Sequence, residues 1–238
     1  MRVLLIDGDP QANATMTVLD GQEVNGPTIG DLLLAQVEAG EAIRRTRLEG
    51  MDLIPADAML ADAVVALSEQ LGRESRLRRA MRAVDGYDLV IVDAAPELNL
   101  VTINILNYVG ELLVPVDAGL YSVVGLGRLK DTVNQVRTHL DNQTVRIVGL
   151  VLTRAHNNRA TKDLETQLRE VYTPLVHKAV IPHSVRVEEA HARHRTVLEF
   201  APRSTPALAY DRLLTEVLGH GETTGGNAAE SGEEDVTA

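Results

Sequence analysis

Hydrophobic positions along the chain fall into short unbroken runs separated by longer stretches of helical period. Residues 3–6 are four consecutive aliphatics that end in Asp7-Gly8-Asp9-Pro10-Gln11. A run without polar alternation, bounded by turn-forming pairs, reads as a strand of a parallel sheet covered on both faces. Residues 29–33 with Val37 begin a helical pattern, residues 51–56 read as a short strand, and residues 59–71 return to helical spacing. Residues 73–84 follow as an arginine-rich amphipathic helix with Leu77, Met81 and Val84 on one face. Residues 87–93 form the second strong strand, again closing on an Asp. Further strands are predicted at 112–116, 147–152 and 176–181, and helices at 123–140, 159–171 and 206–218. Strands alternating with helices in this way specify an α/β fold, a doubly wound and mostly parallel sheet with helices on both faces.

In open α/β sheets ligands bind beyond the carboxyl ends of the strands, so Asp7, Asp9 and Asp93 mark a candidate site. Two aliphatic strands that each end in Asp suit a magnesium–nucleotide centre, because Mg²⁺ keeps most of its waters and is held through one or two carboxylates plus phosphates. Asp93 would be the Walker B acid. Either Asp is also the kind of residue that caps a following helix or shapes a turn, and that reading stays open.

Composition narrows the function. The 238 residues suit one α/β domain, expected over 1–218, followed by an acidic disordered tail at 219–238 that carries Glu222, Glu230, Glu233, Glu234 and Asp235. With no cysteine, disulfides, thiol catalysis and cysteine-bound clusters are excluded. No apolar run approaches the ~18 residues that span a bilayer, and no signal peptide is recognisable, so a cytoplasmic protein without membrane attachment is expected. Net charge is −11, with only three lysines, Lys130, Lys162 and Lys178.

Four segments together carry a resemblance to the ParA/Soj partition ATPases of the ParA/MinD deviant-Walker P-loop group. Val3 to Thr15 resembles the family's LLIDxDPQGNAT segment. Tyr87 to Pro96, then Thr102, Asn104 and Leu106, resembles YDxxxIDxPPxLGxLTxNAL. Residues 112–116 with Gly125-Leu126, and residues 147–153, resemble the next strand and helix and the strand after them. Ile181-Pro182-His183-Ser184-Val185-Arg186 with Glu189-Ala190, then Ala209-Tyr210, resembles IPRNVRLxEA and the closing helix.

The resemblance implies an ATP- and Mg²⁺-dependent switch that dimerises, coats DNA nonspecifically and moves a plasmid, chromosome or other cargo under control of a partner protein. By that resemblance Asp7 and Asp93 order the Mg²⁺ shell, Asp9 positions the attacking water, Thr153 and Pro182 border the base, and Arg186 approaches DNA. Nucleoid association is expected on the same ground.

The chain departs from the pattern at one large feature. Family members begin with a strand and a KGGxGKT loop that holds the phosphates, and no such motif occurs here; Gly125 to Lys130 fails the GxxxxGK(S/T) spacing. The expectation is a native protein that starts earlier, with a nucleotide-free pseudo-ATPase acting as an interaction or regulatory protein as the alternative. Glu97 stands where the family has Ser, adding a carboxylate near the phosphates, and His183 replaces a usual arginine, which weakens the expectation of DNA binding. His191 and His194 lack further metal-ligating neighbours in sequence, and no metal site is expected there.

Overall fold

The computed structural model describes residues 1–117, 122–140 and 142–224. In chain order its elements are β1 (Val3–Gly8), α1 (Asn13–Val18), α2 (Ile29–Leu33), α3 (Ala39–Ala42), β2 (Arg44–Arg45), β3 (Met51–Ile54), α4 (Leu60–Ser68), α5 (Arg76–Ala80), β4 (Leu89–Ala94), α6 (Leu100–Tyr108), β5 (Glu111–Asp117), α7 (Ser122–His139), β6 (Arg146–Ala155), α8 (Arg159–Tyr172), β7 (Val176–Pro182), α9 (Val185–His191), α10 (Val197–Phe200) and α11 (Thr205–Thr224).

The sheet comes in two parts. One has the order β2-β3-β1-β4, parallel except for β2, and the other has the parallel order β5-β6-β7. Successive strand residues point to opposite faces, and the core follows that alternation. From β6, Leu150 and Leu152 meet α7 and α8 through Leu126 and Leu168, whereas Val151 meets Ala209 and Leu213 of α11. In the first part Leu4, Ile6 and Ile54 pack beneath α2, α4 and α6. Helix α6 joins the two parts: Val101 and Ile105 enter the first core, while Leu106 packs with Val133, Val136 and, on β5, Leu112. The doubly wound α/β expectation holds, with helices on both faces.

Two local readings change. Residues 73–84 are not one amphipathic helix but α5 flanked by 3₁₀ turns at Arg73–Ser75 and Met81–Ala83. Their arginines serve backbone carbonyls: Arg76 donates to the Leu71 carbonyl at 3.3 Å and Arg78 to that of Asn107 at 3.0 Å. Helix α11 continues through Thr224, past the expected boundary at 218, and the rest of the expected tail, 225–238, lies outside the described residues. No helix among the described residues is long and apolar enough to cross a membrane.

Candidate functional site

Asp7 and Asp93 are register partners at the carboxyl ends of β1 and β4, on neighbouring parallel strands that lie about 4.8 Å apart. The two strands can approach here because residue 8 is glycine. A Cβ on Gly8 would stand 2.9 Å from the Asp93 carbonyl oxygen and 2.8 Å from a methyl of Ile105. Beyond Gly8 the chain turns: the Gln11 N–H donates to Asp9 Oδ1 at 2.8 Å, the Ala12 N–H to the Asp9 carbonyl at 2.9 Å, and Ala12 adopts a left-handed φ of 53°. The turn launches α1 and brings Thr15 back onto Asp7.

Asp7 is fully buried and hydrogen-bonded on both oxygens. Its Oδ2 accepts from the Thr15 backbone N–H at 2.8 Å and from Thr15 Oγ1 at 2.7 Å, and its Oδ1 accepts from the Asp9 N–H at 3.1 Å. Thr15 Oγ1 in turn accepts from the Ala56 N–H at 3.1 Å, fastening the start of α1 to the end of β3. Asp7 therefore performs the helix-capping task that its position in the sequence allowed, and Thr15 is the partner that sequence reasoning left unassigned. The signal was available, since an Asp eight residues before a Thr in a short turn-and-helix segment places both at one end of the helix.

Asp93 differs. Its side chain reaches solvent, yet surrounding protein desolvates it, and the charges of Asp7 and Asp9 add repulsion; together they push its carboxyl up to about 6. The negative charge of Asp7 and Asp9 beside Asp93 makes a locus that a hard cation would relieve. Among the described residues no group of three or more carboxylate and imidazole side chains is close enough to chelate a metal ready-made. Mg²⁺ keeps most of its waters and needs only one or two carboxylates, so the strand-end carboxylates Asp7 and Asp93 are of a kind that fits the cation. It does not fit the triphosphate, because the sequence contains no phosphate loop with its lysine, and no step is derived through the nucleotide.

The other expected residues lie apart. Thr153 and Pro182 sit at the carboxyl ends of β6 and β7, in the second part of the sheet, where Thr153 Oγ1 reaches the Val116 carbonyl at 3.4 Å. Beside them the rings of His156 and His183 stack with centroids 4.5 Å apart, and His183 Nε2 lies 3.3 Å from Glu188. Arg186 is exposed near the start of α9, with Nη1 donating to Glu189 Oε2 at 2.8 Å. Glu97 lies exposed in the loop after β4.

Between these groups the sheet is open. Among the described residues no strand pairs with the outer edge of β4 or with the outer edge of β5. Leu89 and Ile91 of β4 point away from the α6 side, as does Leu113 of β5, which is opposite Gly149 on the α11 side. They are 39%, 44% and 40% exposed, and on α11 itself Tyr210 and Leu214 are 37% and 57% exposed. Apolar surface is thus left open on both unpaired-edge strands, β4 and β5.

A family model described as an AAA domain matches residues 1–147. The chain is 36% identical over 224 residues to the sporulation initiation inhibitor protein Soj of Bacillus subtilis, a match covering 92% of this chain and 87% of that one. It is 34% identical over 221 residues to the chromosome partitioning protein ParA of Caulobacter vibrioides, covering 91% and 82%. Among solved structures, the cobyrinic acid a,c-diamide synthase of Mycobacterium smegmatis with bound ATP analog and magnesium superposes with a TM-score of 0.75 at 29% identity, covering 94% of this chain and 84% of that one.

Proposed function

The chain belongs to the ParA/Soj family of partition ATPases, and on that premise we propose that it is the switch-bearing part of an ATP-dependent partition protein whose nucleotide site is completed by a strand–loop–helix unit seated between β4 and β5. The observation that carries this reading is the open strip itself. The parallel strands β4 and β5 each have an edge with which no strand among the described residues pairs, and Leu89, Ile91 and Leu113 are partly exposed apolar side chains that a strand and the helix after it would cover. A phosphate-binding loop at the carboxyl end of such a strand would open directly beside Asp7 and Asp93.

In the completed site Asp7, kept in place by Thr15 and the Asp9 N–H, and Asp93 would hold the water shell of Mg²⁺. Asp9, on the turn that leads to α1, would position the attacking water. Bound Mg–ATP would supply the phosphoryl group, and positioning and charge stabilisation do most of the work in such a transfer. Thr153 and Pro182 border the base. A cytoplasmic, nucleoid-associated homodimer acting with a partner protein follows from the family, with Arg186 among the DNA-facing residues.

Equilibrium binding of Mg–ATP tests the proposal. The 238-residue chain is expected to show no saturable binding. The same chain carrying the KGGxGKT strand–loop–helix of the Bacillus subtilis relative at its N-terminus should bind saturably, and Asp93→Ala should abolish the gain. A folded fusion that still binds no nucleotide overturns the ATPase reading in favour of a pseudo-ATPase that acts through protein contacts.

A further inference from the structure

Helix α1 is six residues long and is held at both ends. Its start is fixed by the bonds from Thr15 to Asp7 already described. Its end is fixed from the far side of the sequence, by residues 194–199. The Arg47 guanidinium donates to the Thr17 carbonyl through Nε at 3.3 Å and Nη2 at 3.2 Å, and it forms a two-pronged pair with Glu199, with Nη2 2.9 Å from Oε2. Asp20, just past α1 and in a left-handed conformation, pairs with Arg195. Next to it Gly21 leaves room for the His194 ring, which a Cβ there would meet at 2.6 Å.

The residues that grip α1 are also tied to α9. The Arg195 N–H donates to the Ala190 carbonyl at 3.0 Å, and Arg193 Nη1 donates to that of Glu189 at 2.9 Å. Glu199, which takes the Arg47 fork, simultaneously caps α10 by accepting from the Thr196 N–H at 3.1 Å and from Thr196 Oγ1 at 2.8 Å. Both Glu199 oxygens and Asp20 Oδ1 are committed, and the partners lie 152 and 175 residues apart in sequence, so no local chain stiffness can substitute for the clasp.

We propose that the Asp20–Arg195 and Arg47–Glu199 pairs are positioning residues that make the placement of α9 depend on the placement of α1, and through Thr15 on the Asp7–Asp9 turn. A change at the carboxylate cluster that moves α1 is then felt at the helix that presents Arg186 and Glu189. The coupling rests on the reading of the carboxylates as the cation site only for its purpose; the mechanical link stands on the contacts alone.

Amide hydrogen exchange in the full chain tests it, with Thr15→Ala as the perturbation at one end and α9 as the readout at the other. With the clasp intact, Thr15→Ala should speed exchange across residues 186–192 roughly fivefold. In the Arg195→Ala background the same substitution should add nothing there, and Arg195→Lys should restore part of the response. Should Arg195→Ala weaken the fold generally, Asp20→Asn gives the same cut from the other partner. The coupling is overturned if α9 ignores Thr15→Ala in the wild-type background, or if it responds equally with the clasp cut. A parallel Mn²⁺ titration separates the two ideas: no cation binding with the exchange coupling present sinks the cation site alone.

Discussion

Strands β1 and β4 are near twins in sequence and opposites in surroundings. Each is an aliphatic run ending in Asp, Val3 to Asp7 and Leu89 to Asp93, and the two pair in register along their length. Yet β1 has a partner on both edges and only Leu5 among its aliphatics is less than buried, whereas β4 has one strand partner among the described residues and leaves Leu89 and Ile91 open. Burial is set by the number of neighbours a strand has, not by its own composition. An aliphatic run that stands half exposed therefore records a neighbour it is suited to, and this is the physical content of the open strip.

The largest effect should come from cutting into the twin strands at matched depth. Ile6→Ala in β1 removes a fully buried side chain and is expected to cost about 2–5 kcal/mol, while Ile91→Ala in β4 should cost under ~1 kcal/mol because its side chain already meets water. Urea denaturation of both variants measures the contrast. Fusing the strand–loop–helix unit should raise the Ile91→Ala cost toward that of Ile6→Ala; if the two costs stay as far apart in the fusion, the unit does not seat between β4 and β5.

Next in size is the clasp that ties α1 to residues 194–199 beside α9 and α10. The Arg47 fork, with help from Thr196, holds the Glu199 carboxyl down at about 2. A carboxyl with a lowered folded value stabilises the protein above its ordinary titration range and loses that contribution as pH falls toward the folded value. Glu199→Gln should therefore cost about 1–2 kcal/mol at pH 7, and the difference from wild type should shrink between about pH 4.5 and pH 2. Chemical denaturation across that range checks it.

Much of this was legible in the chain and some was not. Strands β1, β4, β5, β6 and β7 show as aliphatic runs, the pattern that suits parallel strands to being covered on both faces, and α7 shows because its apolar positions keep helical spacing. The Arg44–Arg45 strand carries no period at all, since two residues are too few to display one. Residues 73–84 read as an arginine-rich amphipathic helix because sequence cannot tell a guanidinium in water from one donating to the Asn107 carbonyl. Asp7 and Asp93 were legible as strand-end carboxylates. The clasp was not, because Asp20 and Arg195 meet only through the completed fold and neither has a local pattern to betray it.

A smaller contrast sets Asp93 against Asp7. Asp7 is compensated by three donors, but Asp93 is held near 6 by desolvation and by its acidic neighbours. A carboxyl raised in the folded state favours folding below its ordinary range and penalises it as pH rises through the folded value. Asp93→Asn should thus stabilise the protein at pH 7 by a few tenths to about 1 kcal/mol, after allowance for solvent screening, with the gain fading as pH falls from about 6 to 4. Thermal unfolding at the two pH values measures this, and millimolar Mg²⁺ should shrink the advantage of the variant if the carboxylates take the cation. An Asn variant no more stable than wild type at pH 7 would mean that Asp93 is not strained.

The smallest stability effect belongs to α9, and there it is binding that discriminates. Arg186 and Glu189 form an exposed pair three residues apart on one helix face, worth at most ~0.5 kcal/mol, so Glu189→Gln should leave thermal stability almost unchanged. What changes is the charge offered to a partner. A guanidinium held by a carboxylate must give up that contact before it can neutralise a phosphate, and a neighbouring negative charge repels the phosphate as well. If α9 faces DNA, Glu189→Gln should tighten nonspecific binding and steepen the dependence of log K on log salt by up to about 0.9, the increment for one more phosphate contact. Arg186→Gln should lower both affinity and slope. Fluorescence anisotropy with random-sequence duplex over a salt series reads both quantities, preferably in the strand–loop–helix fusion with nucleotide present. Equal slopes in wild type and both variants would remove Arg186 from the DNA interface while leaving the carboxylate site untouched, since the two lie on different parts of the fold.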